Sequence, residues 1–412
     1  MAAAALSACG GGGSGSEGSP PGSGLNSQEV QSAKASKSPG LLASGAGTVN
    51  MAGDGDQHVR AVGALADGGH TVAWLTEATP GGAASMSLQR FDAAGAKLGA
   101  QVDIALDVDP TSVALAVHGD GGVAAAYRAT RSPSPAEPWI VSSGIYVRRF
   151  DAGGAPLGGE TEVVSVVQNQ AGARTLYYVA DPAIVSWQDG SFVIGWASIR
   201  EDYTGRVPEF QTQRYDGQGQ PVGARLSVGS GDANTSFKLT AVPAGGYLVS
   251  TFRRVAGELH ARFSQVDLGH TIALPYTADG LPAHSILLPL ARGGYVLLSA
   301  QDGAASSQLF DGNGNVAGAA RALASLPTFA GALADGGFAA FWASAGTEQV
   351  VAQRFDGTGA AVGELLHIDT DGAVPQAAGT RDGGLALAWS AAGPGGDLDV
   401  MTQRFLLPAP SR

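Results

Sequence analysis

Two short phrases alternate seven times along this chain, always in the same order. The first is a turn built on glycine and followed six residues later by a large ring. Its copies begin at Gly68, Gly121, Gly190, Gly245, Gly293, Gly336 and Gly383, and their sixth residues are Trp74, Tyr127, Trp196, Thr251, Ser299, Trp342 and Trp389. The second phrase reads Gln-Arg-Phe-Asp, with glycines three and seven residues after the Asp, as in Asp92, Gly95 and Gly99. Its copies centre on Phe91, Phe150, Tyr215, Phe263, Phe310, Phe355 and Phe405. The copy at Phe263 has lost its Asp and glycines, and the copy at Phe405 stops after the ring. A unit of roughly 50 residues recurring this often dictates a repeat architecture rather than a fold with one undivided core.

Each unit holds four runs of strand-like text bounded by Gly, Asp and Asn, here labelled A to D. In the first unit they are Val62–Leu65, Thr71–Trp74, the run ending in Phe91, and Gln101–Ile104. Asp-Gly-Gly between A and B supplies the positive φ angles of a tight hairpin turn, and Asp-x-x-Gly does the same between C and D. No stretch has a helical period with caps. Four antiparallel strands in each of seven units predict an all-β fold, a seven-bladed β-propeller of four-stranded blades. The last unit lacks a strand D, and residues 41–50 precede the first unit without a blade of their own. They are expected to supply the missing strand and close the ring, and the repeated rings to pack between blades.

The chain of 412 residues divides into 1–9, 10–40 and a propeller over 41–412. Hydrophobic residues make up 44% and charged residues only 15%. The net charge of −12 argues against a nucleic-acid partner, which needs clustered Lys and Arg. No apolar run reaches the length of a transmembrane helix. Residues 10–40 are Gly, Ser and Pro-rich text that cannot bury a core, so a disordered tether is expected there.

The sole cysteine, Cys9, heads this tether. Leu6-Ser7-Ala8-Cys9 resembles a bacterial lipobox, and the resemblance implies lipidation at Cys9, an envelope location and membrane attachment only through the lipid. Eight residues without Lys or Arg precede Cys9, short for a signal peptide, so translation is expected to begin upstream of Met1. The repeated Gln-Arg-Phe-Asp-x-x-Gly-x-x-x-Gly text over residues 60–410 resembles that of large secreted or surface bacterial proteins. That resemblance carries no catalytic residues.

The sequence shows little chemistry. Histidines 58, 70, 118, 260, 270, 284 and 367 are scattered without metal-ligand spacing, and there is no Gly-x-Ser-x-Gly elbow. No cofactor and no metal is expected. Asp311-Gly312-Asn313-Gly314-Asn315 alternates oxygen ligands like a calcium loop but lacks the distal Glu, and it occupies a C–D turn, so it is read as a turn. The Asp of Arg-Phe-Asp recurs at one turn position in five units, which marks it as structural.

Departures from the repeat say more. Insertions at Arg128–Gly144, Ser165–Asp181 and Ser198–Glu209 lengthen two B–C loops and one D-to-A link, all on one face of blades 2 and 3. They carry Arg128, Arg131, Trp139, Tyr177, Tyr178, Arg200, Asp202, Tyr203 and Arg206. Aromatics with arginines in loops are interface anchors, and the arginines suit an acidic partner. The first reading is a monomeric, envelope-tethered, non-catalytic propeller that binds a protein or glycan. The alternatives are a carbohydrate-active enzyme working at the central channel and a purely structural spacer.

Overall fold

The computed structural model describes residues 42–406 apart from segments 44–46, 51–54, 78–83, 106–112, 132–140, 168–174, 244, 256–257, 268–269, 274–284, 302, 344–348, 372, 381–383 and 394–395. Seven antiparallel sheets follow one another along the chain, over 56–105, 113–167, 175–230, 235–273, 286–323, 329–369 and 376–406. In the first six the strands pair in chain order from A to D, the seventh runs from A to C, and no helix occurs among the described residues. Inner strands of neighbouring blades contact one another at six of the seven seams, blade 7 to blade 1 included, so the A strands line the centre of the ring. The fold is a seven-bladed β-propeller.

The second phrase builds the outer half of each blade. Asp92 Oδ1 accepts the backbone N–H groups of Ala94 and Ala96 at 2.8 and 2.9 Å, and Gly95 takes φ +83° to complete the turn. Gln89 Nε2 donates to the carbonyls of Arg90 and Gly99 at 2.9 and 3.3 Å. Those bonds span the point where the ladder between C and D slips register, between Leu88 and Arg90. Gln213 and Gln353 do the same at the corresponding slips in blades 3 and 6. One eleven-residue phrase thus encodes a capped turn and a stapled bulge.

The first phrase builds the contact between blades. The ring six residues past the turn glycine faces the preceding blade, where it meets small side chains. Trp196 lies against Ala114, Ala116, Ala124 and Ala126 of blade 2, and Trp74 against Ala378, Ala386 and Ala388 of blade 7. Trp74, Trp196 and Trp389 are buried, whereas Trp342 is half-buried and donates through its indole nitrogen to Ser325 O at 3.0 Å. In blade 4, Phe237 of strand A is paired with Thr251 and packs with the Phe210 cluster of blade 3, taking the place of the missing ring.

Blade 4 also corrects the frame of the second phrase. Elsewhere the ring of the phrase pairs with the first residue of strand B, as His70 with Phe91 and Phe338 with Phe355. In blade 4 that partner of Tyr247 is Val266, so Phe263 sits three residues before the slot. Strand C there runs from Glu258 to Asp267 and strand D starts at His270, so the chain turns without the capped Asp-x-x-Gly unit.

The ring is closed by the N-terminal segment. Leu42–Ala43 and Gly47–Thr48 both pair with Leu398–Leu406, strand C of blade 7. Val49 N donates to Val400 O at 2.7 Å, Asn50 Nδ2 to Asp399 Oδ1 at 2.8 Å, and Val400 N to Asn50 Oδ1 at 2.9 Å. Removing residues 41–50 deletes these bonds, exposes a strand edge and uncovers the buried Val49. The expected outcome is a fall in melting temperature of roughly 5–10 °C, read by circular dichroism; an unchanged melting curve would show that this strand is not what holds the ring shut.

Candidate functional site

The described parts of the blade 3 insertions are largely strand. Strands A, B and C run over Thr175–Ser186, Phe192–Asp202 and Gly205–Tyr215, so the sheet rises past the common ladder length. Leu176-Tyr177-Tyr178-Val179 and Val207 onward have the aromatic and β-branched residues that suit a pleated surface. Asp202 reverses the chain: its carboxylate accepts Thr204 N at 2.8 Å and the Thr204 hydroxyl, which holds its pKa below the usual carboxylate range. Asp202 and Gly205 pair, leaving only Tyr203 and Thr204 in the turn. Tyr203 therefore stands at the tip, 91% exposed. Arg128 and Arg131 likewise lie in strand B of blade 2, Val123–Arg131, rather than in a loop.

Register divides the predicted residues among three directions. Tyr177 pairs with Arg200 and Arg200 with Val207, on the face of blade 3 that carries Trp196 and Val179 toward blade 2. Arg128 shares the face of Ala124 and Ala126, which pack in the same cluster. These three residues border the same interblade seam. Arg131 is on the opposite face with Tyr127, toward blade 1. Tyr178 and Arg206 face blade 4 with Ile199. Trp139 lies outside the described residues.

The arginines are not a free basic patch. Arg131 Nη2 donates to Glu160 Oε2 at 2.9 Å, and its guanidinium lies 3.9 Å from the Tyr146 ring centre. The Tyr127 hydroxyl donates to the same carboxylate. Hydrogen bonding from Arg131 lowers the Glu160 pKa, while burial raises that of Tyr127. Arg200 is 3.7 Å from Asp202. Arg206 lies 5.9 Å from the centre of the Tyr178 ring, whose hydroxyl donates to Glu201 at 2.9 Å. Arg131 and Arg200 thus have carboxylate neighbours, whereas Arg206 rests against a ring.

Ten large hydrophobic side chains are exposed among the described residues, and five of them, Val167, Leu176, Tyr177, Tyr203 and Val207, belong to this rim. Leu176, Val167 and Val207 escaped the sequence reading because isolated apolar residues in polar text look like loop filler. The pairing that sets Val207 beside Arg200 and Tyr177 appears only once the hairpin is drawn.

Other candidates resolve into structure. Asp311 Oδ1 accepts Asn313 N and Asn315 N at 2.9 and 2.8 Å, and Oδ2 accepts Asn315 Nδ2 at 3.0 Å, so the carboxylate is the cap of its own turn. Asp92, Asp151, Asp216 and Asp356 bond in the same way. Among the described residues no three His, Cys, Asp or Glu side chains gather to hold a metal ion.

No protein-family model matches the chain, and no curated protein is similar to it. Several solved structures are similar to the chain at low identity. The β-propeller domain of the Trilobed protease from Pyrococcus furiosus is 8% identical over 91% of this chain and 97% of that one, with a TM-score of 0.46. Polysaccharide lyase Uly1 is 11% identical over 92% and 95%, at 0.47. A prolyl oligopeptidase B from Galerina marginata is 10% identical at 0.43, and the chain spans 47% of its length.

The strongest displacements of histidine pKa lie between blades rather than at the rim. Burial, with Arg404 nearby, pushes His70 down to about 3, where it stacks 4.7 Å from Phe91. Burial also pushes His118 down to about 4. Both imidazoles are neutral in the fold, whereas the unfolded chain takes up protons below about pH 6.5. Their contribution to stability is complete above that pH and is lost as pH falls toward 4 and 3. The melting temperature is expected to drop between pH 7.5 and 5. His70→Phe, which copies the stacked Phe338 of blade 6, should remove roughly half of that drop. An identical pH profile in the variant would contradict a neutral buried His70.

Proposed function

We propose that this protein is a non-catalytic recognition propeller, held at a bacterial cell envelope by a lipid on Cys9, that binds a protein or glycan through the raised rim of blades 2 and 3. The observation that carries the reading is the concentration of exposed apolar side chains on one rim, Val167 of blade 2 with Leu176, Tyr177, Tyr203 and Val207 of blade 3. A ring as exposed as Tyr203 has little to gain from water and much from a partner surface. Paired charges around it favour specificity at modest desolvation cost, because Arg131 and Arg200 bring Glu160 and Asp202 with them into the interface. The rigid three-stranded support fixes Tyr177 and Tyr203 in advance, so little ordering entropy opposes binding.

The binding test uses Tyr177→Ser combined with Tyr203→Ser, two exposed positions that leave the blade intact. Partner capture from envelope extracts, and retention on a panel of immobilised glycans, should fall about tenfold or more against wild type, as for loss of interface anchors. Equal capture and retention by the folded variant would place any binding surface elsewhere.

The anchor rests on Leu6-Ser7-Ala8-Cys9, which lies outside the described residues. In a bacterial host carrying the upstream coding sequence, metabolic labelling with a fatty-acid analogue should mark wild type and spare Cys9→Ser. Equal labelling of both chains, or of neither, would end the proposal of a lipid anchor.

A further inference from the structure

The arginine of the second phrase faces the next blade and fills the groove between the two on the turn side of the ring, opposite the rim. Arg149 of blade 2 donates to Gly217 O of blade 3 at 2.7 Å and to Gln218 O, and Arg404 of blade 7 donates to Asp92 O of blade 1 at 3.2 Å. The grooves left beside these two residues measure about 160 and 180 Å³. Blade 5 reads Gln308-Leu309-Phe310-Asp311, with leucine in the arginine slot: Leu309 pairs with Val296 as Arg149 pairs with Ala124. There the corresponding groove, between blades 5 and 6, opens to about 770 Å³. That is the size of a small-molecule site.

The cleft has an apolar floor of Leu290, Leu309 and Phe310, and two arginines at its edge. Arg292 lays its stem over Gly336, where a Cβ would come within 2.8 Å of Arg292 Cδ, so a glycine is needed to seat it. Its guanidinium makes no hydrogen bond or ion pair with the described residues. Arg321 donates only Nε, to Thr358 O at 3.0 Å, which leaves its two terminal nitrogens uncommitted. The carboxylates of the cleft are spent. Asp335 accepts Arg354 Nη2 at 2.7 Å and Gly337 N at 3.0 Å, and Asp311 caps its own turn. The lining thus sets two arginines, Arg292 and Arg321, the latter also interacting with Asp356, against Asp311 and an Asp335 already paired with Arg354, although the protein carries −12 overall.

We infer that the cleft between blades 5 and 6 is a second binding site, separate from the rim, for a small organic anion with an apolar body and one carboxylate or sulfonate group. The body covers Leu309 and Phe310 where blades 1, 2, 3, 6 and 7 place an arginine and blade 4 a glutamine, and the anionic group meets Arg292 and Arg321. Planar guanidinium groups suit such oxyanions through paired hydrogen bonds.

The probe is 1-anilinonaphthalene-8-sulfonate, followed by its fluorescence on the full chain, with the uncharged N-phenyl-1-naphthylamine as its control. Wild type should bind the sulfonate at one saturable site, more tightly than the neutral amine. Arg292→Ala, an exposed change that does not threaten folding, should weaken the sulfonate about tenfold or more and leave the amine unchanged. Leu309→Arg should close the cleft by reaching the carbonyls of Gly357 and Thr358, abolish binding of both probes and raise the melting temperature. The rim variant Tyr177→Ser with Tyr203→Ser should bind like wild type. The inference is overturned if wild type shows no saturable binding, or if Arg292→Ala binds the sulfonate as well as wild type does. It is equally overturned if a folded Leu309→Arg keeps wild-type affinity.

Discussion

A sheet that is apolar on both faces has no stable place except between two others like it. Every blade here has that character, and the ring follows from it. Val72, Trp74 and Phe91 on one face of blade 1 need blade 7, while Ala73, Leu75 and Leu88 on the other need blade 2. Seven such sheets satisfy one another only by returning to the start. At the seams of blades 2 and 3 and of blades 7 and 1, a large ring on one face meets alanines on the next, a knob set on a smooth wall. The molecule lacks the single core of a globular domain; its hydrophobic residues fall into seven clusters, one for each seam.

That arrangement explains what could be read in the sequence. The Gln-Arg-Phe-Asp phrase is legible because each of its members does a local, backbone-directed job: Asp caps, glycine turns, Gln staples the bulge. Local jobs leave fixed spacings. The ring slot is legible for a related reason, since the seam it fills recurs at one height in every blade. Strand lengths were underestimated, because edges that continue the ladder in polar text carry no breaker and no period of their own.

The illegible parts depend on partners that sequence spacing does not name. Phe263 looks like the ring of its phrase, yet Val266 holds the slot because Tyr247 decides the register. Phe237 replaces a missing ring from the neighbouring strand, a substitution visible only across a pairing. At the rim the residue types were found, but their directions were not. Arg131 and Arg206 sit on opposite sides of the two-blade unit, and their neighbours, Glu160 and the Tyr178 ring, are set by strand pairing rather than by spacing. The cleft of blades 5 and 6 was written plainly as Leu309 in an arginine column, a single letter whose meaning is a volume.

The closing strand has a mechanical consequence. The chain enters the fold at Leu42, and its first pairing is with Leu406 at the end of the last blade. A load applied along residues upstream of Leu42 reaches this seam before any blade feels it. Two strands of two residues each are the weakest ladder in the ring, but Asn50 grips Asp399 and Val400 just behind them. A steady pull on that end would therefore meet the short strands first and the Asn50 bonds next, so the seam resists in two stages.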